Sequence, residues 1–311
     1  METSLNRRDA LKIGGSLLAA AALGPAAGAQ PKPAGDAPPA AGTKRKLKKA
    51  VMYDMIGVGT TVLEKFQAIK EAGFDGVEVN RPNPTPIDEI KAACEKTGIL
   101  IEGVVDSAHW RETLSHNSPA IRAKGLAALQ TALRDCKALG GTSVLLVPGV
   151  VDKSVSYDNC WKRSQTEIRK AIPLARELGV KIAIENVWNH FIMSPLEAAR
   201  YVDEFEAPDA VGWHFDIGNV IVYGWPEQWV RILGKRIVKL HIKEFSRTRA
   251  DKEGLWKGFA VELLEGDDDW PTVMKALDEV GYNTWGCAEM GGGDLNRLKF
   301  ISQRMDKIWA M

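Results

Sequence analysis

The stretch Val211-Gly212-Trp213-His214-Phe215-Asp216-Ile217-Gly218-Asn219 carries the reading on which the fold turns. A short, mostly apolar run ends on a carboxylate and passes into a glycine-containing turn. The same form occurs upstream in Lys181-Ile182-Ala183-Ile184-Glu185-Asn186. It occurs downstream in Val238-Lys239-Leu240-His241-Ile242-Lys243 and again in Cys287-Ala288-Glu289-Met290. Runs that are apolar on both faces and rich in Val and Ile are what fully buried parallel strands look like. Each of these four delivers one residue able to hold a proton or a metal.

Working outward, the spacing predicts eight strands: Ala50–Ile56, Gly76–Asn80, Leu100–Asp106, Ser143–Val147, Lys181–Glu185, Val211–Asp216, Ile237–Ile242 and Thr284–Glu289. Segments with helical spacing lie between them, such as Leu63, Phe66 and Ile69. Gly73, Gly98, Gly140, Gly179, Gly234 and Gly281 stand just past periodic runs, where a helix ends in a left-handed residue. Pro86, Pro119, Pro195, Pro226 and Pro271 stand near helix starts, and Ser118 and Ser194 read as N-caps. Eight alternating units make an α/β chain whose expected architecture is a single-domain (β/α)8 TIM barrel over residues 50–311. The rival is a doubly wound open sheet. Its usual sign is a glycine-rich phosphate turn after the first strand, and Gly57-Val58-Gly59-Thr60-Thr61 does not match that pattern.

Residues 1–29 read as a signal peptide: Arg7-Arg8 and Lys12, an apolar run from Ile13 to Leu23, then Ala27-Gly28-Ala29. The paired arginines resemble a twin-arginine signal, with Ala10 where such signals usually carry Phe. The run is too short to span a membrane, so the expectation is export to the periplasm without stable membrane insertion. Residues 30–49 read as a disordered linker, Pro/Ala/Gly-rich and then basic from Lys44 to Lys49. The formal net charge is +1. Loss of residues 1–29 removes Arg7, Arg8 and Lys12 against Glu2 and Asp9, which leaves the chain neutral. A neutral chain carries no electrostatic footprint for nucleic acid. Cys94, Cys136, Cys160 and Cys287 show no metal or redox spacing and read as small buried hydrophobes, their pairing left open.

Active sites of such barrels lie at the C-terminal strand ends. Glu185, Asp216, His241 and Glu289 therefore share one rim. Three carboxylates and an imidazole suit one divalent ion, Mn2+, Mg2+, Co2+ or Zn2+, and such an ion would give a reason for clustering like charges. His109, just past the third strand, and Glu78, near the end of the second, are candidate substrate contacts. Trp188, Trp225 and Trp256 are candidate stacking walls for a sugar; His190 and His214 read as structural. Gly291-Gly292-Gly293 offers backbone amides that could cup an anion.

The chain resembles the sugar-phosphate isomerase/epimerase families of the xylose isomerase-like TIM barrels, nearest to the L-xylulose 5-phosphate and ketohexose 3-epimerases. The resemblance rests on Glu185-Asn186, Asp216-Ile217-Gly218-Asn219, Leu240-His241-Ile242-Lys243-Glu244, Glu265-Gly266-Asp267-Asp268-Asp269-Trp270 and Glu289. It implies that Glu185, Asp216, His241 and Glu289 ligate one metal, and that Glu185 and Glu289 also serve as the acid/base pair. It places Arg247, His109, Glu78, Asn219 and Trp188 around the substrate. The reaction implied is proton abstraction next to a ketone through an enediolate. The export signal argues for a small sugar substrate without a phosphate. The long loop from Phe245 to Glu265 is expected to cover the site. The same constellation would suit a dehydratase or lyase on a keto-sugar or keto-inositol, and a non-catalytic exported sugar-binding barrel is the reading of another class. By analogy with relatives the chain forms a homodimer.

Overall fold

All eight expected strands form, and they pair in sequence order into a closed parallel barrel in a computed structural model that describes residues 46–311. They are β1 Lys48–Met52, β2 Gly76–Arg81, β3 Leu100–Asp106, β4 Ser143–Leu146, β5 Lys181–Glu185, β6 Val211–Asp216, β7 Ile237–Ile242 and β8 Trp285–Ala288. β1 pairs with both β2 and β8, which removes any open sheet edge. The helices are α1 Val62–Glu71, α2 Ile87–Thr97, α3 Pro119–Leu139, α4 Tyr157–Leu178, α5 Pro195–Asp203, α6 Pro226–Leu233, α7 Arg247–Glu253, α8 Trp270–Glu279 and α9 Leu295–Trp309. Short α7 is an insertion in the connection from β7 to α8.

Punctuation by glycine and proline works as the sequence suggests. All six expected helix-end glycines have positive φ, and Gly98 and Gly179 are the left-handed C-caps of α2 and α4. Proline occupies the first turn of α3, α5, α6 and α8. Ser194 caps α5 by accepting from the Glu197 amide. Ser118 stands at the N-cap of α3 without a side-chain cap; its own amide donates to His116 Nδ1 at 2.9 Å.

One boundary moves. β1 begins at Lys48 and ends at Met52, earlier than the expected Ala50–Ile56, and a 3-10 turn follows at Tyr53–Met55. Lys48 and Lys49 thus belong to the barrel, not the linker. Lys49 is buried because its ammonium finds partners on α9: Ser302 Oγ at 2.9 Å and Asp306 at 2.6 Å. The expected signal peptide, residues 1–29, and the expected linker up to residue 45 lie outside the described residues. None of the four cysteines pairs; Cys136, Cys160 and Cys287 are buried, as small hydrophobes are. No helix among the described residues is long and apolar enough to cross a membrane.

The apolar core lies between strands and helices, with Phe66, Phe74, Tyr201, Trp213, Phe215 and Trp270 fully buried there. The barrel interior is more polar. Glu78 faces His214 and Glu102 pairs with Lys239 across it, each pair joining strands that are not neighbours.

Candidate functional site

Strand register brings the four candidate ligands together. Asp216 is in register with His241 across β6 and β7, and Glu185 is in register with His214 on β6. The amide of Glu289, one residue past β8, donates to Ile242 O at 3.0 Å. One side-chain ligand atom from each of Glu185, Asp216, His241 and Glu289 lies within 4.8 Å of the others. His241 Nδ1 is 3.0 Å from both Glu185 Oε1 and Glu289 Oε2, and 3.9 Å from Asp216 Oδ2. Mixed oxygen and nitrogen donors that converge in a buried place, with more carboxylates than nearby cations, fit a divalent cation well.

Neighbouring residues hold this set in place. Asn186 accepts from Trp213 Nε1 and the Asp216 amide and donates to Asp216 O, which ties the end of β5 to the end of β6. Asp216 Oδ1 accepts the Asn219 amide at 2.8 Å, leaving Oδ2 to face inward. Gly218 is required because a Cβ there would stand 2.9 Å from Lys243 O. Glu78 Oε2 lies 2.9 Å from His241 Nε2, so it orients the imidazole from behind. Glu78 is 2% exposed and does not line the cavity, which corrects the expectation of a substrate contact. His214 sits beside it, 4.2 Å between ring centroids from His241, and burial drives its pKa well below the usual histidine value.

The electrostatics follow from crowding like charges in a buried place. Burial raises the pKa of Glu185, and it raises that of Asp216 to about 7. Burial would raise Glu289 as well, but Lys243 and His241 outweigh it and hold that carboxyl well below its usual range. Burial disfavours charge on His241, yet Glu78 and Glu289 push its pKa well up.

The ligand cluster opens into a cavity of about 470 Å³ lined by Met52, His109, Trp110, Trp188, Asn219, Lys243, Trp256, Phe259, Met290 and Gly291, among others. Trp188 packs at 4.7 Å on Trp256 and 4.8 Å on Phe259, making an aromatic wall. Trp188 Nε1 donates to Asn219 O, which anchors that wall to the end of β6. The long connection after β7 supplies Trp256 and Phe259, as expected of a covering loop. Gly258 allows it to close, since a Cβ there would lie 2.3 Å from the Phe245 ring.

His109 lines the cavity and is held neutral, its pKa lowered to about 4 by burial. The Val147 amide donates to its Nδ1 at 3.2 Å. A backbone amide can only donate, so the neutral ring carries its proton on Nε2 and offers a donor there.

Two of the candidate substrate contacts, Arg247 and Trp225, lie outside the cavity's lining. Arg247 does not reach the cavity: its guanidinium donates to Ile221 O and Gly224 O at 2.8 Å each and lies over Trp225. Those loop carbonyls needed donors, and Arg247 supplies them. Trp225, 55% exposed at the start of α6, is likewise outside the cavity. The glycine run Gly291-Gly292-Gly293 divides between the cavity and the packing around Met55. Gly293 N donates to Met55 O, and a Cβ at Gly292 would meet Met55 O at 2.1 Å, so close packing accounts for Gly292, while Gly291 has open space beside it and lines the cavity. His190 is exposed with a ring nitrogen 3.3 Å from Val151 O, away from the site.

Sequence reasoning assigned no role to Lys243, Phe259 or Trp110. Lys243 was legible: it stands two residues after His241, and strand alternation puts such residues on one face. Phe259 had no comparable signal, because its place depends on how the loop folds back. Glu244, next in that motif, does not reach the cavity; its buried carboxylate accepts from Leu264 N, Asp268 N and Trp270 Nε1.

With this geometry in hand, comparison with known proteins is informative. The xylose isomerase-like TIM barrel family matches residues 66–306, and the chain belongs to that family. The chain is 24% identical over 259 residues to an L-ribulose-5-phosphate 3-epimerase UlaE of Escherichia coli O1:K1, covering 76% of this chain and 85% of that protein. Among solved structures it is similar to D-psicose 3-epimerase from Clostridium cellulolyticum H10, crystallised with D-tagatose. The TM-score is 0.66 at 19% identity, over 85% of this chain and 97% of that one. It is also similar to the IOLI protein with a bound zinc atom, at TM-score 0.70 and 16% identity, over 85% of this chain and 98% of that one. Its named sugar-epimerase relatives are isomerase-class enzymes.

Proposed function

We propose that this protein is a divalent-metal-dependent isomerase or epimerase of a keto-sugar. The observation that carries the reading is the convergence of Glu185, Asp216, His241 and Glu289, three of which (Glu185, His241 and Glu289) line a cavity shared with Trp188, Trp256 and Phe259. A cation held by those four residues would act as a Lewis acid toward negative charge developing on the substrate carbonyl. Glu185 and Glu289 are the proton carriers: one removes the proton next to the carbonyl and the other returns one. Their placement on non-adjacent strands, β5 and just past β8, lets them approach a substrate from different sides. The His109 Nε2–H donates to a substrate oxygen, and Trp188, Trp256 and Phe259 stack on the sugar's C–H face and exclude water.

A substrate without a phosphate agrees best with the lining. Lys243 is the one Lys or Arg among the lining residues, and two carboxylates already hold it. We further read residues 1–29 as an export signal, which places the enzyme in the periplasm, where free sugars are more available than phosphorylated ones.

The test combines metal content with proton exchange. Purified protein carries about one divalent ion per chain, and Asp216→Ala loses it. In D2O, a panel of free and phosphorylated ketoses reveals deuterium incorporation next to the carbonyl for a free ketose. Glu185→Gln and Glu289→Gln abolish that incorporation. A metal-free wild type, or exchange that survives both substitutions, would sink the proposal.

A further inference from the structure

Lys243 lies directly against two of the candidate metal ligands. Its ammonium lies 3.1 Å from Asp216 Oδ2 and 2.8 Å from Glu289 Oε2. These are two oxygens of the candidate ligand set, the same two that face His241 Nδ1 from the Asp216 and Glu289 side. Asn219 Oδ1 at 3.4 Å and the Phe259 ring, 5.1 Å away by its centroid, complete its surroundings. The side chain is only 16% exposed, so solvent screens the ammonium weakly.

Charge and space then conflict. Three carboxylates in one buried cluster need positive charge nearby, and Lys243 supplies part of it. A dication held by Asp216 and Glu289 would compete with the ammonium for the same two carboxylates. Two cations sharing them in a weakly screened site repel strongly. We propose that Lys243 is a built-in competitor of the metal: its ammonium holds Asp216 and Glu289 when no cation does, and lowers the affinity with which these residues take one. The consequence is an acidic site that folds before it is loaded, with a metal that exchanges more readily than the ligand set alone would permit. The lysine's flexible four-carbon stem allows the ammonium to withdraw toward the cavity it lines.

This inference rests on the metal reading above, and the experiment separates the two. Full-length wild type, Lys243→Met and Lys243→Arg are stripped with a chelator, and Mn2+ binding is followed by calorimetric titration and by thermal unfolding. Lys243→Met, isosteric without the charge, binds Mn2+ about tenfold tighter or more than wild type, the scale expected for relief of a buried charge conflict. Its metal-free form melts below the metal-free wild type, and Mn2+ raises its Tm by the larger increment. Lys243→Arg, which keeps the charge, stays near wild type. Lys243→Met that folds only with Mn2+ present is the same result in stronger form, and Lys243→Gln provides the affinity comparison in that case. Affinity that is equal or weaker in Lys243→Met and Lys243→Gln overturns the competitor role while leaving the metal site standing. A wild type that takes up no Mn2+ overturns both.

Discussion

At the scale of single residues, burial decides what each titratable group can do. His109 and Asp106 show it with opposite signs. Burial lowers the His109 pKa to about 4, and raises that of Asp106 to about 7. The unfolded chain therefore protonates His109 at a pH where the native ring refuses the proton. That group's contribution is complete above about pH 6.5 and is lost as pH falls toward 4, by about 3 kcal/mol. Asp106 works the other way: the native carboxyl keeps a proton that the unfolded chain releases, so its contribution is present at low pH and lost as pH rises through about 7. The two partly cancel between pH 4 and 6.5. His109→Gln should flatten the His109 part of this dependence. Urea unfolding at pH 5 and pH 7 should show the variant, relative to wild type, gaining stability at the lower pH. A difference that does not change with pH would show that His109 is not held neutral.

At the scale of elements, one buried carboxylate decides where the covering connection sits. Glu244 follows β7 and binds the backbone of Leu264 and Asp268 and the indole of Trp270 at the start of α8. It is fully buried, so nothing else is available to satisfy those donors. Leu264 holds a positive φ of 71°, a conformation that the loop's contacts, Glu244 among them, must impose on a non-glycine residue. Glu244→Ala should cost about 3 kcal/mol or more, because two buried donors and one part-buried donor lose their acceptor at once. Chemical unfolding measures this. A loss under about 1 kcal/mol would mean the connection is held by its apolar contacts instead.

At the scale of the whole molecule, the barrel interior beneath the site is a polar stack rather than an apolar fill. Lys239 of β7 and Glu102 of β3 pair at 2.7 Å across the barrel, both essentially without solvent. Removing one charge leaves the other buried and uncompensated. Lys239→Met should therefore destabilise the protein by about 3–5 kcal/mol, and adding Glu102→Leu should recover most of that loss. A double variant no more stable than Lys239→Met would show that the pair does more than cancel its own charges.

Much of this molecule was legible in its sequence. Eight short apolar runs, proline at helix starts and glycine at helix ends determine the alternation of strand and helix, because these are local preferences of backbone and side chain. The same runs placed Glu185, Asp216, His241 and Glu289 at strand ends, since a strand's last residue is a matter of sequence order. What only the tertiary structure decided is which groups meet once the barrel closes. Glu78 lies beneath the site behind His241, and Arg247 turns to loop carbonyls. Lys243 lies on two of the oxygens a metal would use. These outcomes depend on strand register and on the path of one long connection, and those are set by packing between segments far apart in the chain.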